Sequence, residues 1–429
     1  MTAHYRFVVI DDDPAELEWM TQALRAAGHE VTPCNDSRAA LALILELRPD
    51  CVIADLMMPE IDGLEILVRV RRQPEVATTK VLIVSGKIYD FDEARARRLG
   101  ADGYLKKPLD AERVLAAVMA MMLDEVVVRY WGVRGTLPTS GKGTIAYGGD
   151  TSCVTVELPT GDLVIFDAGT GIRVLGEHLM RLGKRVSARL FISHPHWDHI
   201  NALPFFAPLY VPGNDFTMLG PAQATLGMAD LISAQMEGVY FPITVREWGA
   251  NVQYRDMREE TIELGDIVVR ARLLSHPGYC LGYRLEYHGR SVCYVTDNEL
   301  FLQDHPAYNA FYVEQLTRFV RGADLLITDT TYTDEAYASK IGWGHSCVSQ
   351  VVTLAHSAEV ARLHLFHHDP SEDDAAIDRK LEQAREKGRK LATQTEISAP
   401  AQGTVRRLGK AREAAEPVRA GGETREALH

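Results

Sequence analysis

Residues 193–199 of this chain hold three histidines and an aspartate in the run Ser-His-Pro-His-Trp-Asp-His. The run directly follows an apolar stretch typical of a buried strand. Imidazoles and carboxylates are metal ligands, and so many of them are costly to pack together unless they bind a cation. His194 and His196 would point one way from an extended turn, while Asp198 and His199 can reach the other way. The spacing therefore predicts ligands for two metal ions.

Each metal ion needs further ligands, and three candidates stand where later apolar runs end. His276 follows the predicted strand Ile267–Leu274, Asp297 ends a predicted hairpin that starts at residue 283, and His367 follows Leu363–Phe366. Because strand ends share an edge of a sheet, we expect these side chains to meet the first group.

Two neighbouring residues compete for roles in this site. His368 could replace His367 as a ligand, but His367 is favoured because it comes first after its strand. Asp167, in Asp-Ala-Gly-Thr-Gly, is expected to be a turn residue or a support for the ligands, and not a ligand itself.

Five motifs of the metallo-β-lactamase superfamily occur in order between residues 126 and about 396: DAGTG, HPHWDH, SHPG, VTDNE and FHHDP. The chain resembles that superfamily over this range. The resemblance implies a first metal on His194, His196 and His276, a second on Asp198, His199 and His367, and Asp297 as the bridge. It also implies a catalytic part for Asp198. Zinc is the expected metal, with manganese or iron as alternatives.

One further element bears on the reaction. Gly344-His345-Ser346 resembles the His-Ser-Thr element of the RNase Z and cyclic-phosphodiesterase branch, although Cys347 replaces the threonine. The resemblance implies that His345 gives a proton or hydrogen bond to the leaving group. The alternative is that His345 merely begins a helix. A lactone, ester or thioester hydrolase, or a non-catalytic signalling module with a structural metal site, also remains open.

Charge argues against a nucleic-acid polymer as substrate. The formal net charge is −13, and residues 200–260 hold three arginines against seven acidic residues. A polyanion needs a basic face. A small phosphodiester or cyclic nucleotide is therefore favoured. The aromatic residues Tyr210, Phe216, Tyr240 and Phe241 could line the mouth of the site or belong to the core.

A second group of candidate residues precedes this region. Asp11 and Asp12 follow the first apolar run, Asp55 follows another, and Ser85 ends a third. The carboxyl ends of parallel strands open onto one crevice, where carboxylates can hold Mg²⁺ and one can accept a phosphoryl group. Lys107, after the next run, would bring a cation to the same edge.

Over residues 5–123 the runs VVIDDD, IADLMMPEIDG, VLIVSG and GYLKKP resemble the receiver domain of two-component response regulators. The resemblance implies that Asp11, Asp12 and Asp55 bind Mg²⁺ and that Asp55 is phosphorylated. Ser85, Tyr104 and Lys107 are then the switch residues, and Lys106 is less favoured than Lys107. The implied partner is a sensor histidine kinase or phosphotransfer protein, and homodimers are possible.

The elements that must position these residues follow from the pattern of apolar runs. Strands alternate with helices up to residue 124, which predicts an α/β, doubly wound parallel sheet of the flavodoxin-like receiver type. Residues 125–398 are richer in strands and are expected to form the αββα sandwich of the metallo-β-lactamase fold. Residues 399–429, rich in Ala, Gly, Arg and Glu, are expected to be disordered.

Composition adds two expectations. Hydrophobic residues make up 46% of the 429 residues, which suffices for two cores. The six cysteines form no C-x-x-C pair, and no apolar run is long enough to span a bilayer. We therefore expect a cytoplasmic protein without a membrane segment.

Overall fold

The computed structural model of the protein describes residues 4–77, 79–86, 90–123 and 125–409. They fall into two compact units that divide between Glu125 and Val126, and the second unit extends to Leu408. The expectation of disorder from residue 399 onward is wrong for its first part, because Val405–Leu408 form a strand that pairs with Val126–Gly132. Residues 410–429 lie outside the described residues.

The first unit alternates strands and helices as its sequence predicts. Its strands are β1 (Arg6–Ile10), β2 (Glu30–Cys34), β3 (Cys51–Asp55), β4 (Lys80–Ser85) and β5 (Gly103–Lys106). Its helices are α1 (Pro14–Ala26), α2 (Ala40–Leu47), α3 (Gly63–Arg71), α4 (Asp90–Arg98) and α5 (Ala111–Leu123). All neighbouring strands are parallel, in the order β2-β1-β3-β4-β5.

Local chemistry explains where the helices of this unit begin. Asp13 caps α1 by accepting a hydrogen bond from the backbone N–H of Ala15, and Pro14 suits the first helical turn. Asp62 caps α3 in the same way, through the N–H of Glu65. The buried apolar residues of β1, β3 and β4 contribute to cores on both faces of the sheet.

The second unit contains more strands than the first. Its strands are β6 (Val126–Gly132), β7 (Cys153–Glu157), β8 (Leu163–Phe166), β9 (Ser187–Phe191), β10 (Asp215–Pro221), β11 (Asn251–Met257), β12 (Thr261–Leu264), β13 (Ile267–Leu273), β14 (Leu281–Tyr287), β15 (Arg290–Val295), β16 (Leu325–Asp329), β17 (Arg362–Phe366), β18 (Glu396–Ser398) and β19 (Val405–Leu408). Its helices are α6 (Gly171–Leu182), α7 (Trp197–Ile200), α8 (Met228–Ala234), α9 (Ala310–Val320), α10 (Asp334–Tyr337), α11 (Val348–Ser357) and α12 (Asp374–Lys390), with short 3₁₀ turns at Lys142–Thr144, Leu203–Phe205, Ala207–Tyr210 and Val245–Glu247.

Two seven-stranded sheets build this unit. One has the order β11-β10-β9-β8-β7-β6-β19, and the other has the order β12-β13-β14-β15-β16-β17-β18. Apolar side chains of both sheets form one central core. A second apolar cluster joins α6 and α8 to the first sheet, and a third joins α9, α11 and α12 to the other sheet. The arrangement is the predicted αββα sandwich, with helices on the outer faces of two packed sheets.

Helix α11 begins just after the segment that carries His345. Its first residue is Val348, with Cys347 at the capping position, so His345 lies in the preceding loop and does not begin the helix. Among the described residues, no helix combines the length and apolar character that crossing a membrane requires.

Candidate active site

Three imidazoles and a carboxylate converge just beyond the ends of β9, β13 and β15. These residues are His194, His196, His276 and Asp297, and one ligand atom of each lies within 4.8 Å of the others. Nδ1 of His196 lies 2.9 Å from Nε2 of His194 and 3.1 Å from Nε2 of His276. A neutral imidazole has one donor and one acceptor nitrogen, so a single nitrogen between two others is better suited to sharing a cation than to hydrogen bonding.

A second group of ligand-type residues adjoins the first. It consists of Asp198, His199, Asp297 and His367, again with ligand atoms within 4.8 Å of one another. Asp297 belongs to both groups because its two oxygens face different ways. Oδ2 lies 3.5 Å from His194 and 3.6 Å from His276, while Oδ1 lies 3.2 Å from both His199 and His367. The structure thus brings together all seven residues that the sequence singles out as ligands.

Asp167 is not in either group but fixes the ring of His199. Its fully buried carboxylate accepts hydrogen bonds from Nδ1 of His199 at 2.7 Å, the hydroxyl of Tyr294 at 2.7 Å and the backbone N–H of Ser193 at 2.6 Å. Nε2 of His199 is therefore directed toward the site, where it is buried and has no hydrogen-bond partner among the described residues. A buried nitrogen of this kind suits metal coordination, with a carboxylate behind the ring.

His367 reaches the site and His368 does not. Nε2 of His367 lies 3.0 Å from Oδ2 of Asp198, and its ring occupies space that only a glycine at position 135 leaves open, since a Cβ there would lie 2.2 Å from the ring. His368 is fully buried elsewhere, near the ring of Tyr147. The structure therefore places the residue favoured from sequence in the ligand group.

The backbone at the site is strained at three positions. Asp167, Asp297 and His367 have φ values of +59°, +43° and +59°, in a region that residues other than glycine rarely occupy. Such conformations cost on the order of 1–3 kcal/mol each and cluster at functional sites. Each residue follows the end of a strand, so the strain is concentrated where the ligand groups meet.

The pKa shifts of five of the seven ligand residues fit metal binding. His199 differs, because burial disfavours its charge but the neighbouring carboxylates outweigh burial and raise its pKa well above the usual value, so it must lose a proton to bind a metal ion. Burial lowers the pKa of three imidazoles, those of His194, His196 and His276. Burial opposes the charge of Asp198 and Asp297, but the neighbouring histidines outweigh it and hold both carboxyl pKa values well below their usual range. Divalent cations are bound by neutral imidazoles and ionised carboxylates, so this donor set fits them.

His345 lies beside the ligand groups and is held by a buried carboxylate. Its Nδ1 donates to Oδ2 of Asp329 at 2.8 Å, and its ring stacks on that of His367 with centroids 5.1 Å apart. Asp329 also accepts from the backbone N–H groups of Asn298 and Thr331. Burial disfavours a charged imidazole, but Asp329 outweighs it and raises the pKa of His345 to about 9. The pair resembles an imidazole that a carboxylate orients for proton transfer.

The loop that carries His345 is attached to a second buried carboxylate. Glu299 accepts hydrogen bonds from the hydroxyl of Tyr337 and from the backbone N–H groups of Gly342 and Gly344, each at 2.8 Å. Gly344 has a φ of +86°, and a Cβ there would lie 2.4 Å from Nδ1 of His276. Both contacts restrict where His345 can lie.

A cavity of about 500 Å³ opens onto both ligand groups. Its lining residues are Thr136, Pro195, His196, Trp197, Asp198, His276, Pro277, Asp297, Trp343 and His345. The aromatic residues proposed from sequence for the mouth do not line it, and Phe216 is buried in a core cluster. The aromatic side chains at the cavity are instead Trp197 and Trp343.

The first unit has its own polar pocket at the carboxyl ends of its strands. The ammonium group of Lys107 lies 2.9 Å from Oδ1 of Asp55 and 3.3 Å from Oδ2 of Asp11. Burial disfavours the charge of Lys107, but its bond to Asp55 outweighs this and raises its pKa, while burial raises the pKa of Asp11. Asp12 is exposed at the next position.

The two residues that the receiver resemblance predicts as a switch lie on adjacent strands. Ser85 is fully buried at the end of β4, and Tyr104 lies half-buried on β5. The hydroxyl oxygen of Tyr104 is buried without a hydrogen-bond partner among the described residues. The structure thus brings Asp11, Asp55 and Lys107 into direct contact, with Ser85 on the neighbouring strand end.

Sequence reasoning missed three residues of the second site. Asp329 ends a strand as Asp55 does, so the same strand-end argument could have found it. Glu299 follows Asp297 by two positions but acts through hydrogen bonds that only the fold creates. Trp343 gives no signal in the sequence that separates it from a core tryptophan.

The comparisons with known proteins agree with this division. The Response regulator receiver domain family matches residues 7–119, and the Beta-lactamase superfamily domain matches residues 162–368. PilH of Pseudomonas aeruginosa is 31% identical over 117 residues, which is 27% of this chain and 97% of that protein. RpaA of Synechocystis, a DNA-binding dual master transcriptional regulator, is 37% identical over 117 residues, and the chain spans about half (48%) of its length.

Among solved structures, the metallo-β-lactamase fold protein YhfI from Bacillus subtilis is 16% identical, with a TM-score of 0.47, and the match covers 66% of this chain and 100% of that one. The parallel five-stranded sheet and the αββα sandwich occur in the same order as the two matched families. The chain belongs to the response regulators, and its receiver domain is followed by a domain of the metallo-β-lactamase superfamily.

Proposed function

We propose that the second domain is a phosphodiesterase that hydrolyses a small phosphodiester or cyclic nucleotide with two metal ions, and that phosphorylation of Asp55 controls it. The observation that carries the proposal is the Asp329–His345 pair, which faces the same cavity as both ligand groups. Loss of an alkoxide from phosphorus benefits from such a proton donor; so does loss of an alkoxide from a carboxyl ester, and turnover assays separate the two reactions.

The two ligand groups would hold one cation each, with Asp297 between them. Zinc is the metal we favour, because the donors are nitrogen and carboxylate oxygen, and manganese or iron would also fit. Metal ions bound there would polarise the phosphoryl group and activate water. Asp198 accepts a hydrogen bond from the N–H of Thr136 at 2.6 Å, which directs its carboxylate to the cavity.

His345 supplies the proton in this proposal. Asp329 holds Nδ1, so Nε2 is the nitrogen that can donate to the departing oxygen. Glu299 keeps the loop of His345 in place through the N–H groups of Gly342 and Gly344. A positioned general acid typically contributes about 10²–10⁴ in rate.

Size and charge favour a small substrate. A cavity of about 500 Å³ is within the range of sites for small molecules. The lining contains two aspartates and, apart from histidines, no cationic side chain among the residues that form it. A long polyanion would gain few cationic contacts here.

The receiver domain implies phosphorylation by a sensor kinase or phosphotransfer protein. We propose that Asp11, Asp12 and Asp55 bind the Mg²⁺ that this transfer requires, and that Lys107 contacts the phosphoryl group on Asp55. The hydroxyls of Ser85 and Tyr104 would then report the change. We place the protein in the cytoplasm, with all six of its cysteines unpaired, and homodimers are part of the proposal.

Turnover assays test the reaction class. Metal-free protein is loaded with Zn²⁺ or Mn²⁺ and assayed with bis-p-nitrophenyl phosphate, a lactone and a thioester. We expect turnover of the phosphodiester alone or in large excess. Preference for the lactone or thioester would assign a carboxyl-ester hydrolase, and no turnover by the metal-loaded protein would favour a non-catalytic module with a structural metal site.

A further inference from the structure

Two tryptophans at the cavity expose far more of their surface than the other three in the chain. Trp197 is 81% exposed and Trp343 is 57% exposed, whereas Trp131 and Trp248 are buried and Trp19 is half-buried. Both exposed indoles line the cavity that contains the ligand groups. Large apolar side chains gathered at one polar cavity indicate a surface that contacts a ligand.

The surroundings of the two indoles restrict what that ligand can be. Their neighbours in the cavity are histidines, aspartates, prolines and a threonine. A long acyl chain would need a continuous apolar wall, which these residues do not form. A flat ring with polar edges can stack on an indole face while its edges stay in water or contact polar groups.

Lys340 adds a second observation. Its ammonium group lies 3.9 Å from the ring centroid of Trp343. This cation–π contact covers part of one indole face and helps to hold the ring in place.

We propose that Trp197 and Trp343 form a stacking platform for the nucleobase of a nucleotide whose phosphodiester lies at the metal-ligand groups. This inference rests on the proposed phosphodiesterase function and names its substrate class: small nucleotides with a planar base, in preference to base-free phosphodiesters. Stacking of one base on an aromatic side chain strengthens binding by about 5- to 150-fold.

Equilibrium binding tests the platform without depending on turnover. Calorimetry compares adenosine monophosphate with ribose phosphate on the metal-loaded full-length protein. We expect the adenosine compound to bind about 5- to 150-fold more tightly. Trp343→Ala and Trp197→Ala should each remove part of that preference while ribose phosphate binds as before, and Trp343→Phe should retain most of it. Equal affinities of the wild-type protein for the two compounds would overturn the inference.

A second test measures hydrolysis kinetics with a matched pair of cyclic phosphates, one of adenosine and one of methyl riboside. The tryptophan variants should lose kcat/KM for the adenosine compound only. Phe311→Ala is the control, because Phe311 is an aromatic residue that is 68% exposed and does not line this cavity. Equal turnover of both compounds would overturn the platform and leave the proposed function standing. A base preference in binding, without hydrolysis of any diester, would support the platform and overturn the proposed phosphodiesterase function.

Discussion

The two polar sites of this protein differ in the groups that surround their carboxylates. In the receiver, Asp11 and Asp55 share one cation of the protein, Lys107, and Asp12 remains exposed. In the second domain, Asp198 and Asp297 are buried among histidines and face no lysine or arginine within the described ion pairs.

This difference indicates different uses of a metal ion. Lys107 offsets part of the negative charge of the receiver pocket in the absence of a metal ion, so we expect Mg²⁺ to exchange readily there. The second site gathers imidazole nitrogens around two buried carboxylates, which is an arrangement suited to a cation that stays bound. We therefore expect reversible metal binding in the first domain and persistent binding in the second.

The largest expected effect comes from removing the residue shared by both ligand groups. Asp297→Ala should lose both metal ions and essentially all hydrolase activity, because each carboxylate oxygen faces a different group. Metal analysis per chain after gel filtration measures the loss. Asp215→Ala, which removes an exposed carboxylate paired with Arg185, is the control and should keep both ions. Two ions still tightly bound to the Asp297 variant would refute the bridging role.

Replacing Asp55 tests the predicted phosphorylation of the receiver domain. Asp55→Asn should abolish Mg²⁺-dependent labelling by acetyl phosphate, since an amide cannot attack phosphorus. The label in wild type should be labile to base, as acyl phosphates are. Asp62→Asn is the matched control, because asparagine caps α3 as well as aspartate does. Equal labelling of wild type and the Asp55 variant would mean that another residue accepts the phosphoryl group.

His345 should have a smaller but still large effect. His345→Ala is expected to reduce turnover by about 10²–10⁴ on a diester with a poor leaving group, with metal content unchanged. The loss should shrink with p-nitrophenolate, which departs without a proton. His356→Ala, on α11 and away from the cavity lining, serves as the control. Full activity of the His345 variant on the poor leaving group would remove the main support for a phosphodiesterase.

The sequence predicted these sites unequally well, for physical reasons. Asp55, His276 and His367 could be found because strand ends in a sheet share an edge. Asp167 is expected to support the site, but its choice of the His199 ring, the left-handed backbone at Asp297 and the hydrogen bonds of Glu299 depend on packing between distant segments, which spacing does not encode.

The course of the chain shows the same limit. Val405–Leu408 pairs with β6 from more than two hundred residues away, and its composition resembles that of the tail that follows. The hydrogen-bond partners of this strand lie on the edge of a sheet, and the local sequence does not indicate them. The sequence alone therefore predicts disorder for a polar segment that forms a strand. In contrast, the continuous apolar runs of β1, β3 and β4 were recognised because burial on both faces leaves a clear pattern.

Coupling between the domains should produce the smallest effect. The question is whether phosphorylation of the receiver changes the activity at the metal-ligand groups of the second domain. Helix α5 ends at Leu123 and β6 begins at Val126, so two residues connect the domains. The resemblance to receivers leads us to propose that phosphorylation alters the surface of α4, β5 and α5 through Ser85 and Tyr104, and that this surface can form dimers.

A switch changes an equilibrium only by the difference in free energy that it creates, commonly about 1–3 kcal/mol for coupled sites, which corresponds to about 5- to 150-fold. Beryllofluoride, which mimics an aspartyl phosphate, should therefore change hydrolase activity or self-association within that range in wild type. Asp55→Ala should not respond. Light scattering and turnover measure the two effects on the same sample. If the mimic binds and neither quantity changes, the receiver must act by recruiting another protein, because phosphorylation then alters neither hydrolase activity nor self-association.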